Sequence, residues 1–273
     1  MELTGIEGKV AVVTGAGRMR SIGREIAKAF GASGANVVVT GTGRSPDRYP
    51  EDEQAAGWRD IDSVAEEIEA AGSRALPVVS DVADDEAVQA LLAQVLDEFG
   101  RVDFVVNNAA AARGADRVPV VDMPIDWWDL VIRVNVRGTF LMSKRFGQHL
   151  IDQGEGGSIV NISSVAGKLL PPNATAYASS KAAIQALSAG MAQEVGMYGV
   201  RVNTICPGMI DNNRLDDIPR DSEQWAQMIE RVPLRRPSMG EDIPNMTLYL
   251  CSDQGSWVSG QAINVDGGMM VQH

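Results

Sequence analysis

The sequence predicts an α/β protein: a single doubly wound domain with a seven-stranded, mostly parallel sheet flanked by helices on both faces. Two observations lead there. Short β-branched runs, apolar nearly throughout as strands buried on both faces are, alternate with longer stretches of helical spacing. No repeat, low-complexity tract or Gly/Ser/Pro linker divides the 273 residues. One domain over 1–273 is therefore expected, near the upper size for one hydrophobic core, about 250–300 residues.

The elements follow in order. Strands are read at residues 9–14, 36–40, 75–79, 102–106, 158–162, 200–205 and 262–265. Ile61, Val64, Ala65 and Ile68 share one helical face, as do Val88, Leu91, Leu92, Val95 and Phe99. Asp84 is placed to cap the second of these, with Asp85 and Glu86 favouring its dipole. Trp127, Leu130, Val131 and Val134 have the spacing of helix anchors, and further helices are expected over 126–152 and 177–197. Two polar excursions, 45–60 and 210–222, read as loops at the carboxyl ends of strands, where such sheets bind ligands. The second is the core of a candidate substrate lid at about 209–232.

Composition excludes several classes. A net charge of −12 disfavours nucleic acid and anionic membrane as partners. Two cysteines, Cys206 and Cys251, cannot staple a fold this large and read as small core hydrophobes. There is no signal-peptide pattern and no apolar run near the roughly 20 residues of a membrane span, so a cytoplasmic location is expected. His149 and His273 form no cluster at metal-ligand spacing, so no metal is expected.

The first strand runs into Thr14-Gly15-Ala16-Gly17-Arg18-Met19-Arg20-Ser21-Ile22-Gly23 and then a helix. A glycine turn there lets backbone N–H groups approach a pyrophosphate at a positively polarised helix end, so dinucleotide binding is expected. The ribose-reading acid that would favour NAD is missing after the second strand, which continues Gly41-Thr42-Gly43-Arg44-Ser45. With Arg18, Thr42 and Arg44 nearby, NADP(H) is favoured and NAD(H) is the alternative.

Tyr177 and Lys181 are four apart and emerge on one side of a helix, one turn from each other. Ser164 ends the fifth strand, and Asn107-Asn108-Ala109 ends the fourth at the expected switch point of the sheet. With Asp81-Val82, Asn135, Pro207-Gly208 and the closing run 260–268, this ordered set resembles the compact branch of the short-chain dehydrogenase/reductase family, with a Rossmann-type domain, over nearly the whole chain. The resemblance implies a catalytic tetrad of Asn135, Ser164, Tyr177 and Lys181. A free tyrosine, with a pKa near 10, is a poor base at neutrality. A neighbouring Lys181 ammonium would stabilise the phenolate, while Ser164 would hold the substrate oxygen and Asn135 a water. Lys181 would also hold the nicotinamide ribose.

The resemblance further implies cofactor contacts from Gly15, Gly17, Arg18, Ser21, Ile22, Gly23, Asp81, Val82, Asn108, Ala109, Tyr177, Lys181, Pro207, Gly208 and Ile210. Asn107 would steady the fourth strand. Three features depart from the family pattern. The glycine turn is two residues longer than usual with Ser21 in the middle glycine's place, the NADP-type arginine is displaced to Arg44, and Asn212 replaces a threonine after Pro207-Gly208.

The expected activity is hydride transfer between NAD(P) and a secondary alcohol or ketone. The apolar residues Leu169, Leu170, Met209, Ile210, Leu215, Trp225 and Met228 suggest a hydrophobic substrate, cyclic ones included. The alternatives are a 3-oxoacyl (acyl-carrier-protein-type) reductase and a non-catalytic NADP-sensing protein. The family's habit also implies a homotetramer through the helices at 126–152 and 177–197.

Overall fold

The computed structural model describes residues 3–271. Its strands are β1 (Val10–Thr14), β2 (Asn36–Gly41), β3 (Ala75–Val79), β4 (Phe104–Asn107), β5 (Gly157–Ile162), β6 (Val200–Pro207) and β7 (Ala262–Val265). They form one parallel sheet in the order β3-β2-β1-β4-β5-β6-β7. The chain winds outward from β1 in one direction, returns, and continues from β4 in the other. The crevice between the carboxyl ends of β1 and β4 is the switch point where such sheets bind ligands.

The helices are α1 (Ile22–Ala32), α2 (Glu51–Ala55), α3 (Ile61–Ala70), α4 (Asp85–Phe99), α5 (Ile125–Val131), α6 (Gly138–Gln153), α7 (Ala166–Leu169), α8 (Thr175–Val195), α9 (Glu223–Glu230) and α10 (Asp242–Cys251). Successive residues of β1 serve opposite faces. Ala11 and Val13 pack with α1, α3 and α10, whereas Val10 and Val12 pack with α4, α6 and α8. Cores on both faces explain why the strand is an unbroken apolar run rather than an alternating one. Asp84 caps α4 as its position predicts, accepting from the N–H groups of Glu86 and Ala87 at 2.9 and 3.2 Å. Cys206 and Cys251 are buried and free.

Three expectations need correction. The helix expected over 126–152 is α5 and α6 joined by a π-helical turn at Ile132–Arg137. The 45–60 excursion is not a plain loop, for it holds a 3₁₀ turn (Pro46–Arg48) and α2. Glu51, Asp52 and Glu53 crowd the first turn of α2, where carboxylates favour the helix dipole, and this nucleates a helix that composition alone reads as loop. The 210–222 excursion likewise contains a 3₁₀ turn (Asn213–Leu215), capped by the Asn212 side chain, and α9 follows.

Among the described residues, no helix is long and apolar enough to cross a membrane, and no three His, Cys, Asp or Glu side chains are placed to hold a metal. His273 lies outside the described residues.

Candidate active site

A cleft of about 800 Å³ opens at the switch point. Thr14 Oγ1 accepts from the N–H groups of Asn108 and Ala109, both at 3.0 Å, and Asn108 Nδ2 donates to the carbonyls of Thr14 and Gly15. These bonds tie the end of β1 to the end of β4. Gly15 has φ +66°, and a β-carbon there would fall 2.7 Å from the Cα of Ala109, so only glycine permits this approach. Ser21 holds the middle glycine's place because it caps α1. Its hydroxyl accepts from Arg24 N–H at 3.2 Å and donates to the Arg18 carbonyl at 2.9 Å. A glycine cradle, a capped helix end and an elongated crevice together fit a dinucleotide.

Most expected cofactor residues line this cleft: Gly15, Gly17, Arg18, Ser21, Ile22, Thr42, Arg44, Asp81, Val82, Asn108 and Ala109. Gly23, Tyr177, Lys181, Pro207, Gly208 and Ile210 stand outside its lining, as do Asn135 and Ser164. Gly23 packs behind the turn against Asn108, Gly208 donates to the Val265 carbonyl at 3.1 Å, and Ile210 bridges to Ser238. Asp81 lines the cleft but is already engaged, bonded to Ala83 N–H and paired with Arg133. Asn107 Nδ2 bonds Asn161 Oδ1 at 2.7 Å and Ser143 Oγ at 3.1 Å, which cross-links β4 to β5 and α6.

The carboxyl end of β2 is not free of acid. Asp60, 6% exposed, lines the cleft beside Gly17, Gly41 and Arg44. Its Oδ2 accepts from Arg44 Nε at 3.2 Å, and Glu53 Oε2 accepts from Arg44 Nη1 at 2.9 Å. The arginine expected to read a 2′-phosphate is thus held by two buried carboxylates. Arg18 makes no ion pair within 4.0 Å among the described residues.

Bonds to backbone carbonyls fasten the elements that carry the proposed tetrad. Lys181 Nζ is buried, donates to the Ile162 carbonyl at 2.8 Å, and lies 5.7 Å from the Tyr177 ring centroid. Burial, with the nearby Arg214 cation, lowers its pKa to about 7. Ser163 Oγ donates to the Lys181 carbonyl at 2.8 Å, and Gln185 Nε2 donates to the Ser164 carbonyl at 3.3 Å, so the β5 end is fastened to α8. Ser164 Oγ accepts from Ala166 N–H at 3.1 Å. Asn135 sits in the π turn, a distortion frequent at functional sites. Its Oδ1 accepts from Ala111 N–H at 2.8 Å and its Nδ2 donates to Ser180 Oγ at 2.9 Å.

Sequence reasoning missed a group of arginines. The Arg117 guanidinium stacks over the Tyr177 ring at 4.5 Å, and Arg214 approaches the same ring at 5.9 Å while donating to the Ala111 carbonyl. Arg113 pairs with Asp217. Arg117 Nε is buried and meets no hydrogen-bond acceptor, although an Asp116 oxygen lies 3.2 Å away. Burial holds Arg117 below the usual guanidinium range. Arg113, Arg117 and Arg214 line the cleft.

Of the expected apolar lining, Met209, Trp225, Leu215 and Met228 pack with Ile218 and Val232 into a small core of their own, Ile210 packs against the core that holds α1, and Leu169 and Leu170 are exposed.

The fold agrees with the comparisons, and the chain belongs to the short-chain dehydrogenase/reductase family. The model of the family described as "Enoyl-(Acyl carrier protein) reductase" matches residues 15–270. A 3-oxoacyl-[acyl-carrier-protein] reductase of Thermotoga maritima is 32% identical over 97% of this chain and 99% of its own length. An L-rhamnose 1-dehydrogenase (NAD(P)(+)) of a Sphingomonas species is 34% identical over 97% of this chain and 98% of its own. A solved structure from Sinorhizobium meliloti, provisionally described as a short-chain alcohol dehydrogenase, superposes with a TM-score of 0.83. That structure is 30% identical and the match covers 96% of each chain.

Proposed function

We propose that this chain is an NAD(P)-dependent oxidoreductase that interconverts a secondary alcohol and a ketone, with Tyr177 as the acid/base and the whole chain acting as one catalytic domain. The observation that carries the reading is Lys181, buried one helical turn from Tyr177 with its Nζ anchored on the β5 carbonyl of Ile162. A bound nicotinamide would supply or accept the hydride. In the reductive direction the Tyr177 hydroxyl gives its proton to the carbonyl oxygen as the carbon is reduced, and in the oxidative direction the phenolate takes it back. The Arg117 cation, and Lys181 while it holds its proton, stabilise that phenolate. Ser164 hydrogen-bonds the substrate oxygen. Asn135 acts as a positioning residue, joining Ala111 at the cleft to Ser180 beside Lys181.

Tyr177→Phe tests this assignment. Turnover should fall about 10²–10⁴-fold while dinucleotide binding stays unchanged. Full activity in that variant overturns it.

The substrate reading changes with the arginines. Four of the side chains expected to make a hydrophobic pocket are occupied with one another, whereas three guanidinium groups line the cleft. An alcohol or ketone carrying a carboxylate close to its reacting carbon suits this site better than a purely apolar one. A carboxylate would add a second ionic partner to half-buried Arg117, whose Nε faces Asp116 without a hydrogen bond. Benzoylformate and its uncharged methyl ester form a matched pair for the test, with a higher kcat/KM expected on the acid and equal values overturning the preference.

A 3-oxoacyl reductase remains the alternative of the same chemistry, supported by the name of the Thermotoga maritima relative. Turnover of a 3-oxoacyl thioester without turnover of keto acids would select it. Intact Tyr177 and Lys181 disfavour a purely NADP-sensing role. The 209–232 segment, with its own small core, is the proposed lid. Leu130 and Phe140, exposed on α5 and α6, are apolar side chains that pairing of these helices in a homotetramer would cover, and light scattering checks that assembly.

A further inference from the structure

The 45–60 insertion does not hang free beside β2 but folds back onto the lengthened glycine turn. Glu53 Oε1 accepts from Met19 N–H at 2.9 Å, Trp58 Nε1 donates to the Gly17 carbonyl at 2.6 Å, and Asp52 pairs with Arg20 at 3.3 Å. The two extra residues of the turn and the insertion therefore form one unit. What that unit brings into the cleft is the carboxylate of Asp60.

Asp60 is unusual in three respects. Its backbone has φ +56° and ψ −127°, a combination that favours glycine, so the surroundings must hold it there. It stands at the N-cap of α3, where an aspartate normally accepts from the helix amides, yet its side chain makes no capping bond. Instead the carboxylate turns toward Gly17, where a β-carbon would lie 1.3 Å from Asp60 Oδ1, and toward the end of β2, where one on Gly41 would lie 3.7 Å away. It is 6% exposed and forms part of the cleft wall. A strained backbone and a forgone cap are both consistent with a side chain placed for a ligand.

The local charges decide which ligand. Arg18 and Arg44 carry two positive charges, and Glu53 and Asp60 carry two negative ones, both carboxylates being bonded to Arg44. A 2′-phosphate, with its charge of about −1.5 to −2, would find only Arg18 unpaired, with Arg44 already held by two carboxylates, and would face Asp60 directly. An uncharged 2′-hydroxyl can instead donate to that carboxylate, a bond to a charged acceptor.

We infer that Asp60, delivered by the 45–60 insertion rather than by the end of β2, reads the adenosine ribose and selects NAD(H) over NADP(H). Arg44 then serves as a positioning residue that orients Asp60 and Glu53, not as a phosphate reader. This inference rests on the dinucleotide reading of the cleft.

The test is fluorescence titration of the full chain with NADH and with NADPH. The wild type should bind NADH more tightly by about tenfold or more. Asp60→Asn should bring the two dissociation constants to within about threefold, by weakening NADH and strengthening NADPH. Asp60→Gly provides the folding control, since glycine suits the positive φ and removes only the side chain. It gives up the contact to Arg44, so it should unfold somewhat earlier but still cooperatively, and should lose the same preference. A wild type that prefers NADPH, or Asp60 variants that keep the wild-type ratio, overturns the role of Asp60 alone. Binding of neither nucleotide overturns the dinucleotide reading and this inference with it.

Discussion

The Arg117 guanidinium lies 4.5 Å from the centre of the Tyr177 ring, closer than the ammonium of Lys181 at 5.7 Å. The proposed proton donor thus has three basic side chains against its ring, Arg214 being the third at 5.9 Å, and Arg117 has a buried N–H without a hydrogen-bond acceptor. An anionic substrate placed here would complete the arginine's bonding and be held against the hydroxyl at once.

Arg117→Gln should therefore raise KM for benzoylformate about 10–100-fold, the loss expected for one charged hydrogen-bonded contact. Its effect on KM for the methyl ester should be much smaller. Equal changes on both substrates would show that Arg117 acts on Tyr177 and not on substrate charge.

Lys181 gives a pH signature of stability. Burial and Arg214 bring its pKa to about 7, from an ordinary value of 10.5. Between these values the unfolded chain holds a proton that the folded chain has released. Unfolding there takes up a proton, so the contribution of Lys181 to stability rises with pH across that window. Urea denaturation should show the wild type gaining on Lys181→Met between pH 7 and about 9.5. A flat difference would mean that the amine keeps its proton when buried.

Asn135→Ala should cost about 1–3 kcal/mol, because it strips partners from the Ala111 N–H and leaves the π turn without its tie to Ser180. The fall in kcat should exceed any change in nucleotide affinity, since the lost bonds support α8 beside Lys181. Thermal denaturation and steady-state kinetics of the same variant check both parts.

Gly17→Ala puts a β-carbon where the Asp60 carboxylate stands. The variant should lose dinucleotide affinity by about tenfold or more, as expected when a close backbone approach is blocked. Combining it with Asp60→Gly should recover much of the lost stability, a non-additive result that a double-mutant cycle would read directly. Strict additivity would show that the two positions do not meet.

The sheet was legible because buried parallel strands write themselves as continuous apolar runs, and every expected strand is present within two residues at each end. Asp84 and the Tyr177/Lys181 pair were legible for a related reason, since capping and i,i+4 geometry are local. The acid beside the β2 end was not legible because Asp60 reaches Gly41 only after the chain has gone out through α2 and come back. No spacing rule reports such a return. Arg117 and Arg214 were invisible for the same cause, as they meet over Tyr177 from separate loops. Met209, Trp225 and Met228, in the proposed lid, show a different limit: hydrophobicity says that a side chain will be covered, but not whether a neighbour or a substrate covers it.

The bonds from Met19 to Glu53 and from Gly17 to Trp58 also govern how this protein could be re-engineered. Transplanting the 45–60 stretch into a relative with a shorter glycine turn would leave Glu53 and Trp58 facing nothing, and Asp60 would lose the framework that holds its backbone. The longer turn without the stretch would leave an amide and a carbonyl bare. The two segments are a matched set, separated in the chain and portable only as a pair.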